Sequence, residues 1–167
     1  MRYTIIFDDE LNEETVSKLI GDIQLFAKDY STNEFELIFT SCGGDVASSK
    51  KLLHFVNNSG FDFVFSGIEY ISSCAFDMFI SLDCKKKLIG VTIATLHLTS
   101  CSYSYIGLKN KKSFENFDRD ELKKENKQLI AFFKSLNFLS KQEIKDIEEG
   151  KDVYINSDRM HKLINND

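Results

Sequence analysis

The sequence predicts an α/β fold built on a mostly parallel sheet. Short apolar runs of strand length alternate with longer segments whose apolar residues recur at helical spacing. Each pair is closed by a short polar or glycine-bearing stretch, the pattern of repeated β-α-β units with right-handed crossovers. At 167 residues the chain can bury one full core, and no repeat or low-complexity linker divides it, which predicts a single domain over 1–167.

The elements follow in order. Residues 3–7, YTIIF, read as a buried strand. Asn12 is placed to cap a helix, with Glu13 and Glu14 at its positive end. Val16, Leu19, Ile20, Ile23 and Phe26 form its inward stripe. FELIF at 35–39 is a second strand, ended by Gly43-Gly44, and 45–57 a helix with Val46, Leu52, Leu53 and Val56 inward. FDFVF at 61–65 is a third strand, closed by Gly67. A helix over 73–82 follows, then one or two strands over 88–98. Residues 100–120 are polar with scattered aromatics; helices are expected over 121–136 and 140–149, a strand over 153–155 and a helix over 158–164.

Composition excludes several classes of function. The net charge of −5 argues against nucleic-acid binding, which needs clustered cations, and the Lys85-Lys86-Lys87 run reads as a solvated turn. No apolar run approaches the length of a membrane span, and no signal peptide is visible. Cys42, Cys74, Cys84 and Cys101 show no CxxC metal spacing, so free thiols in a reducing, cytoplasmic setting are expected.

One constellation could carry chemistry. Gly43-Gly44 in FTSCGGDVASS, the serines of ISSCAFDMF and His97 in VTIATLHLTS all fall at the carboxyl ends of predicted strands, where parallel α/β sheets bind ligands. Acyl transfer needs a nucleophile, a base, a group orienting the base, and amides aimed at the oxyanion. A Gly-Gly turn lets backbone approach a substrate, and a serine at a helix start has the next amide beside the reacting carbon. Taken singly, each feature is usually structural: a turn, a cap, a core histidine.

The stretches FELIFTSCGGDVASSKKL, GIEYISSCAFDMF and KKKLIGVTIATLHLTS, with the tail KDVYINSDRMHKLIN, resemble in this order the ClpP family of self-compartmentalising serine peptidases, within the ClpP/crotonase fold. The likeness covers most of the chain. It implies a Ser-His-Asp peptidase acting on peptides or proteins without a cofactor. The nucleophile would be Ser73, with Ser72 one register away and a cysteine nucleophile at Cys74 a weaker reading. His97 would be the base, Asp146 the third member with Glu148 in competition, and the amides of Gly44 and Cys74 the oxyanion donors. His54 and His161 are expected on the surface. The resemblance also implies a homo-oligomeric ring of six or seven subunits. Residues 100–139 would form the family's helical handle, with Tyr103, Tyr105, Phe114 and Phe117 suited to a subunit interface.

Departures from the family pattern qualify what it implies. Cys42 and Gly90 stand where the family has proline, and Tyr70 and Ile71 replace small residues before the serine. Asp77 is a charge where the family is commonly apolar. The first strand begins almost at once, which argues against coupling to an AAA+ unfoldase. Two further readings follow: a catalytically silent ClpP-like scaffold or partner subunit, and a crotonase-type acyl-CoA enzyme, which the serine–histidine pairing disfavours.

Overall fold

A computed structural model describes residues 2–100 and 111–165, with side chains throughout except at 111–118. The chain is α/β. Its elements run β1 (Tyr3–Asp8), α1 (Glu13–Asp29), β2 (Glu34–Ser41), α2 (Val46–Asn58), β3 (Asp62–Ile71), α3 (Cys74–Ser81), β4 (Lys85–Leu96), α4 (Lys111–Ser135), α5 (Lys141–Glu148), β5 (Val153–Ile155) and α6 (Ser157–Asn165). The sheet order is β1-β2-β3-β4-β5, and the first three neighbour pairs are parallel. The described residues group into two compact units, Met1–Leu96 with Tyr154–Asp167, and His97–Val153.

In the first unit the predicted alternation is present, with shifted boundaries. Asn12 caps α1 as expected: its side chain accepts from Thr15 N at 3.0 Å, and Thr15 Oγ1 accepts from Asn12 N at 3.2 Å. Val16, Leu19 and Ile23 are buried, while Phe26 stacks on Tyr3 at the edge. The core between the helices and the sheet is aromatic. Phe39 meets Phe65 and Phe79 at ring separations of 5.8 and 6.4 Å, offset or tilted as aromatic quadrupoles prefer.

Gly67 does not close β3, contrary to the sequence reading. The strand runs on to Ile71, and Gly67 sits within it because Ile71, Leu88 and Phe79 occupy the space a Cβ would need. The lysine run is likewise not a turn but the start of β4. Lys86 Nζ donates to the Ile80 and Leu82 carbonyls at the end of α3, and Lys87 pairs with Glu36 at 2.8 Å. Register shifts follow Phe39 in the β2–β3 pair and Ile68 in the β3–β4 pair. Bulged pairing of this kind bends and re-aims strand ends. It also accommodates the bulky residues before the serines: Ile71 turns into the core and Tyr70 outward.

The second unit holds α4 and α5, which pack on each other. The α4 helix starts ten residues earlier than its apolar stripe predicts. Ser140 caps α5 reciprocally with Glu143. Tyr103 and Tyr105 lie outside the described residues, and Phe114 and Phe117 outside those with described side chains.

Candidate active site

Ser73 occupies the junction between β3 and α3 with φ 54° and ψ −137°. A non-glycine residue there is strained by about 1–3 kcal/mol, and such strain survives only where surrounding bonds over-determine it. Those bonds are present. Ser73 N donates to Thr95 O at 2.8 Å, Ser72 N to Ser41 O at 3.0 Å, and Thr95 N to Ser72 Oγ at 3.0 Å. The two adjacent serines therefore differ in role. Ser72 spends its hydroxyl on clamping β4, whereas Ser73 Oγ has no hydrogen-bond partner among the described residues. The two candidates that residue spacing left open thus differ in their hydrogen bonding.

Gly43 comes closest to that serine. A Cβ built on it would lie 2.7 Å from Ser73 Cβ, 2.9 Å from Ser72 O and 3.2 Å from Ser73 Oγ, and its φ is +103°. The turn is pinned from both sides: Leu11 N donates to Gly43 O at 2.8 Å, and Gly43 N donates to Ser41 Oγ at 3.2 Å. Gly44, the predicted oxyanion donor, follows with φ +137°, and its amide acts on the Cys74 thiol. Burial pushes that thiol up to about 11, against the opposing pull of the Ser49 hydroxyl and the Gly44 amide. A thiol so raised is almost wholly protonated at neutral pH, so it would need a base to act as a nucleophile. The backbone N–H of Cys74 is the first of α3 and has no acceptor within that helix. It directly follows Ser73 in the chain, the position to which the resemblance assigns an oxyanion donor.

Asp77, one turn further along α3, carries a solvent-inaccessible Oδ1 with no hydrogen-bond partner. Burial raises its carboxyl to about 7. The residue as a whole keeps some exposure, so it is the inward oxygen that is cut off from water.

The remaining predicted residues belong to the second unit, which begins at His97. The ring is half-buried, and its Nδ1 lies 2.9 Å from the Leu98 carbonyl. That contact suits a proton on Nδ1 and leaves Nε2 as the acceptor. Asp146, expected on this ring, is not bonded to it. Its carboxylate takes Lys151 Nζ at 3.0 Å and Gln142 Nε2 at 3.1 Å, and these hydrogen bonds hold it below the usual carboxylate range. Glu148 is engaged by Lys134 at 2.8 Å. Both acids serve helix ends and surface pairing, the common fate of carboxylates in a lysine-rich segment.

Two residues beyond the imidazole, Asn126 of α4 grips the Thr99 backbone on both sides. Its Oδ1 accepts from Thr99 N at 2.8 Å and its Nδ2 donates to Thr99 O at 3.0 Å. Asn126→Ala is expected to cost about 1–3 kcal/mol, because two backbone groups lose their partners at once. Urea denaturation reads this as a lowered midpoint, and Asn126→Gln should not restore it, since the reach is wrong.

Compared with known proteins, no family model matches this chain and no curated protein matches it significantly. Among the described residues no cluster of His, Cys, Asp or Glu could hold a metal ion, and no helix is long and apolar enough to cross a membrane. Ser49, Asn126 and the Leu98 carbonyl were missed by sequence reasoning. A buried Ser at the start of α2 could have been inferred from its helical spacing with Leu52 and Val56; a backbone carbonyl leaves no residue signal.

Proposed function

We propose that this protein is a serine peptidase of the ClpP type, with a ClpP/crotonase-like fold, that hydrolyses peptides or proteins without a cofactor. The observation that carries the reading is the strained Ser73 at a strand-to-helix turn, with Gly43 backbone packed against it. A sharp, strained turn of this kind is how α/β hydrolases hold a serine Oγ clear of the sheet.

In this mechanism Ser73 Oγ attacks the scissile carbonyl while His97 Nε2 takes its proton. The Cys74 N–H, at the positive end of α3, stabilises the oxyanion. His97 then returns the proton to the leaving amine, and water hydrolyses the acyl-serine by the reverse roles. The orienting task given to an acid in a triad falls to the Leu98 carbonyl on Nδ1. A neutral acceptor fixes the tautomer but offsets less of the imidazolium charge, so slow turnover is expected. The second reading, a catalytically silent ClpP-like subunit, is favoured by that same carbonyl standing where an acid was expected. Ring assembly and a reducing, cytoplasmic setting belong to the proposal as well.

Fluorophosphonate labelling tests it. Native protein should be modified on Ser73, and Ser73→Ala or His97→Ala should lower labelling by about 10³-fold or more. Ser72→Ala and Asp146→Ala should retain it. A folded native protein that takes no label is the silent subunit.

A further inference from the structure

Asp77 Oδ1 is the one buried side-chain oxygen or nitrogen among the described residues left without a hydrogen-bond partner. Leaving a buried acceptor unpaired costs about 1–3 kcal/mol, more when it is charged. Native folds satisfy nearly all such groups, and exceptions tend to mark functional sites. No side chain or backbone donor of the first unit reaches this one: burial is its sole perturbation. A bound ligand could supply the donor it lacks.

Its position says where that partner would enter. Asp77 follows Ser73 by four residues, one turn of helix, and Asp77 N lies 3.4 Å from Ser73 O. Side chains on a helix lean toward its N-terminus, here toward the serine. The Asp77 charge is felt at the Cys74 thiol, next to Ser73 in the chain. The surroundings are acidic. Asp45 also acts on the Cys74 thiol, and the Glu10 side chain lies against Gly44. The three segments that meet here, DDELNEE at 8–14, TSCGGDVASS at 40–49 and EYISSCAFDM at 69–78, contain no lysine or arginine. An incoming cation would meet no repulsion from them, and its N–H groups would supply the donors that Oδ1 lacks.

We propose that Asp77 forms the base of a subsite beside Ser73 that takes a positively charged substrate side chain, that of lysine or arginine. The proposal rests on the serine-peptidase reading, and deepens it from peptides in general to cleavage next to a basic residue. The subsite works by charge-assisted hydrogen bonding, so it discriminates through the penalty of leaving the carboxyl unpaired when a neutral side chain occupies it.

Two phosphonate probes that acylate-site serines accept, one bearing a guanidinophenyl group and one a phenyl group of similar size, separate the outcomes. The native protein should react with the basic probe about ten-fold faster or more, and Asp77→Asn should bring the two rates together while still taking label on Ser73. Equal rates, or a faster neutral probe, overturn the subsite and leave the peptidase standing. No reaction of Ser73 with either probe overturns the peptidase reading. The subsite is then judged by benzamidine alone, which must raise the melting temperature of the native protein and not that of Asp77→Asn. Absence of that shift ends the proposal.

Discussion

Gly43→Ala is expected to destabilise the first unit by about 3–5 kcal/mol, combining a forbidden backbone conformation with overpacking. The new methyl would sit 2.7 Å from Ser73 Cβ and 2.9 Å from Ser72 O. Neither neighbour can yield cheaply. Ser72 is tied to Ser41 and Thr95, and Ser73 to Thr95. Gly60 provides the control: its φ of +78° is also positive, but a Cβ there meets nothing within 4 Å. Gly60→Ala should therefore cost only about 1 kcal/mol, the conformational part alone. The difference between the two variants in urea denaturation isolates the contact with the serine turn. Labelling should fall further than stability predicts, since the turn can admit the methyl only by moving Ser73. Equal costs at the two glycines would show that the turn has room, and that Gly43 is not what holds the serine.

The order of elements was legible in the sequence because each signal is local. A strand shows period two or a short apolar run, a helix shows 3.6, and Asn12 and Ser140 announce their helices by hydroxyl or amide caps. Boundaries set by tertiary contact were not legible. Gly67 looks like a strand end, yet it lies inside β3 because three side chains crowd it. The lysine run looks solvated, yet Lys86 closes the end of α3 with carbonyls that only the fold brings near. The candidate site divides along the same line. The resemblance points to Ser73 by a helix start and a small residue two positions on. How its bonding differs from that of Ser72 was not legible, because the difference is a bond from Thr95 of β4 to the Ser72 hydroxyl. The pairing of the candidate acids was not legible for a related reason: several carboxylates share one short segment, and Asp146 and Glu148 pair with Lys151 and Lys134.

Asp77 makes the stability of the protein depend on pH in a direction opposite to ordinary acid denaturation. Its carboxyl titrates near 3.8 when exposed and at about 7 in the fold, because burial disfavours the charged form. Between those values the folded state binds a proton that the unfolded state has lost. Stability from this group is therefore full below about pH 4, falls as pH rises, and is gone above about pH 7. Three pH units correspond to about 4 kcal/mol at most. The neighbouring Cys74 thiol stays protonated across this window, and Asp45, held below its usual range first by the Ser48 hydroxyl, has already ionised. Neither adds a step of its own there. Asp77→Leu should flatten the profile between pH 5 and 8 and raise the melting temperature at pH 8 by several degrees. The variant replaces a buried charge with a side chain that needs no partner. Thermal melts at pH 5, 6.5 and 8 decide it. Parallel profiles for the two proteins would mean that the carboxyl finds water or a donor in solution, and the case for a ligand supplying that donor would weaken with it.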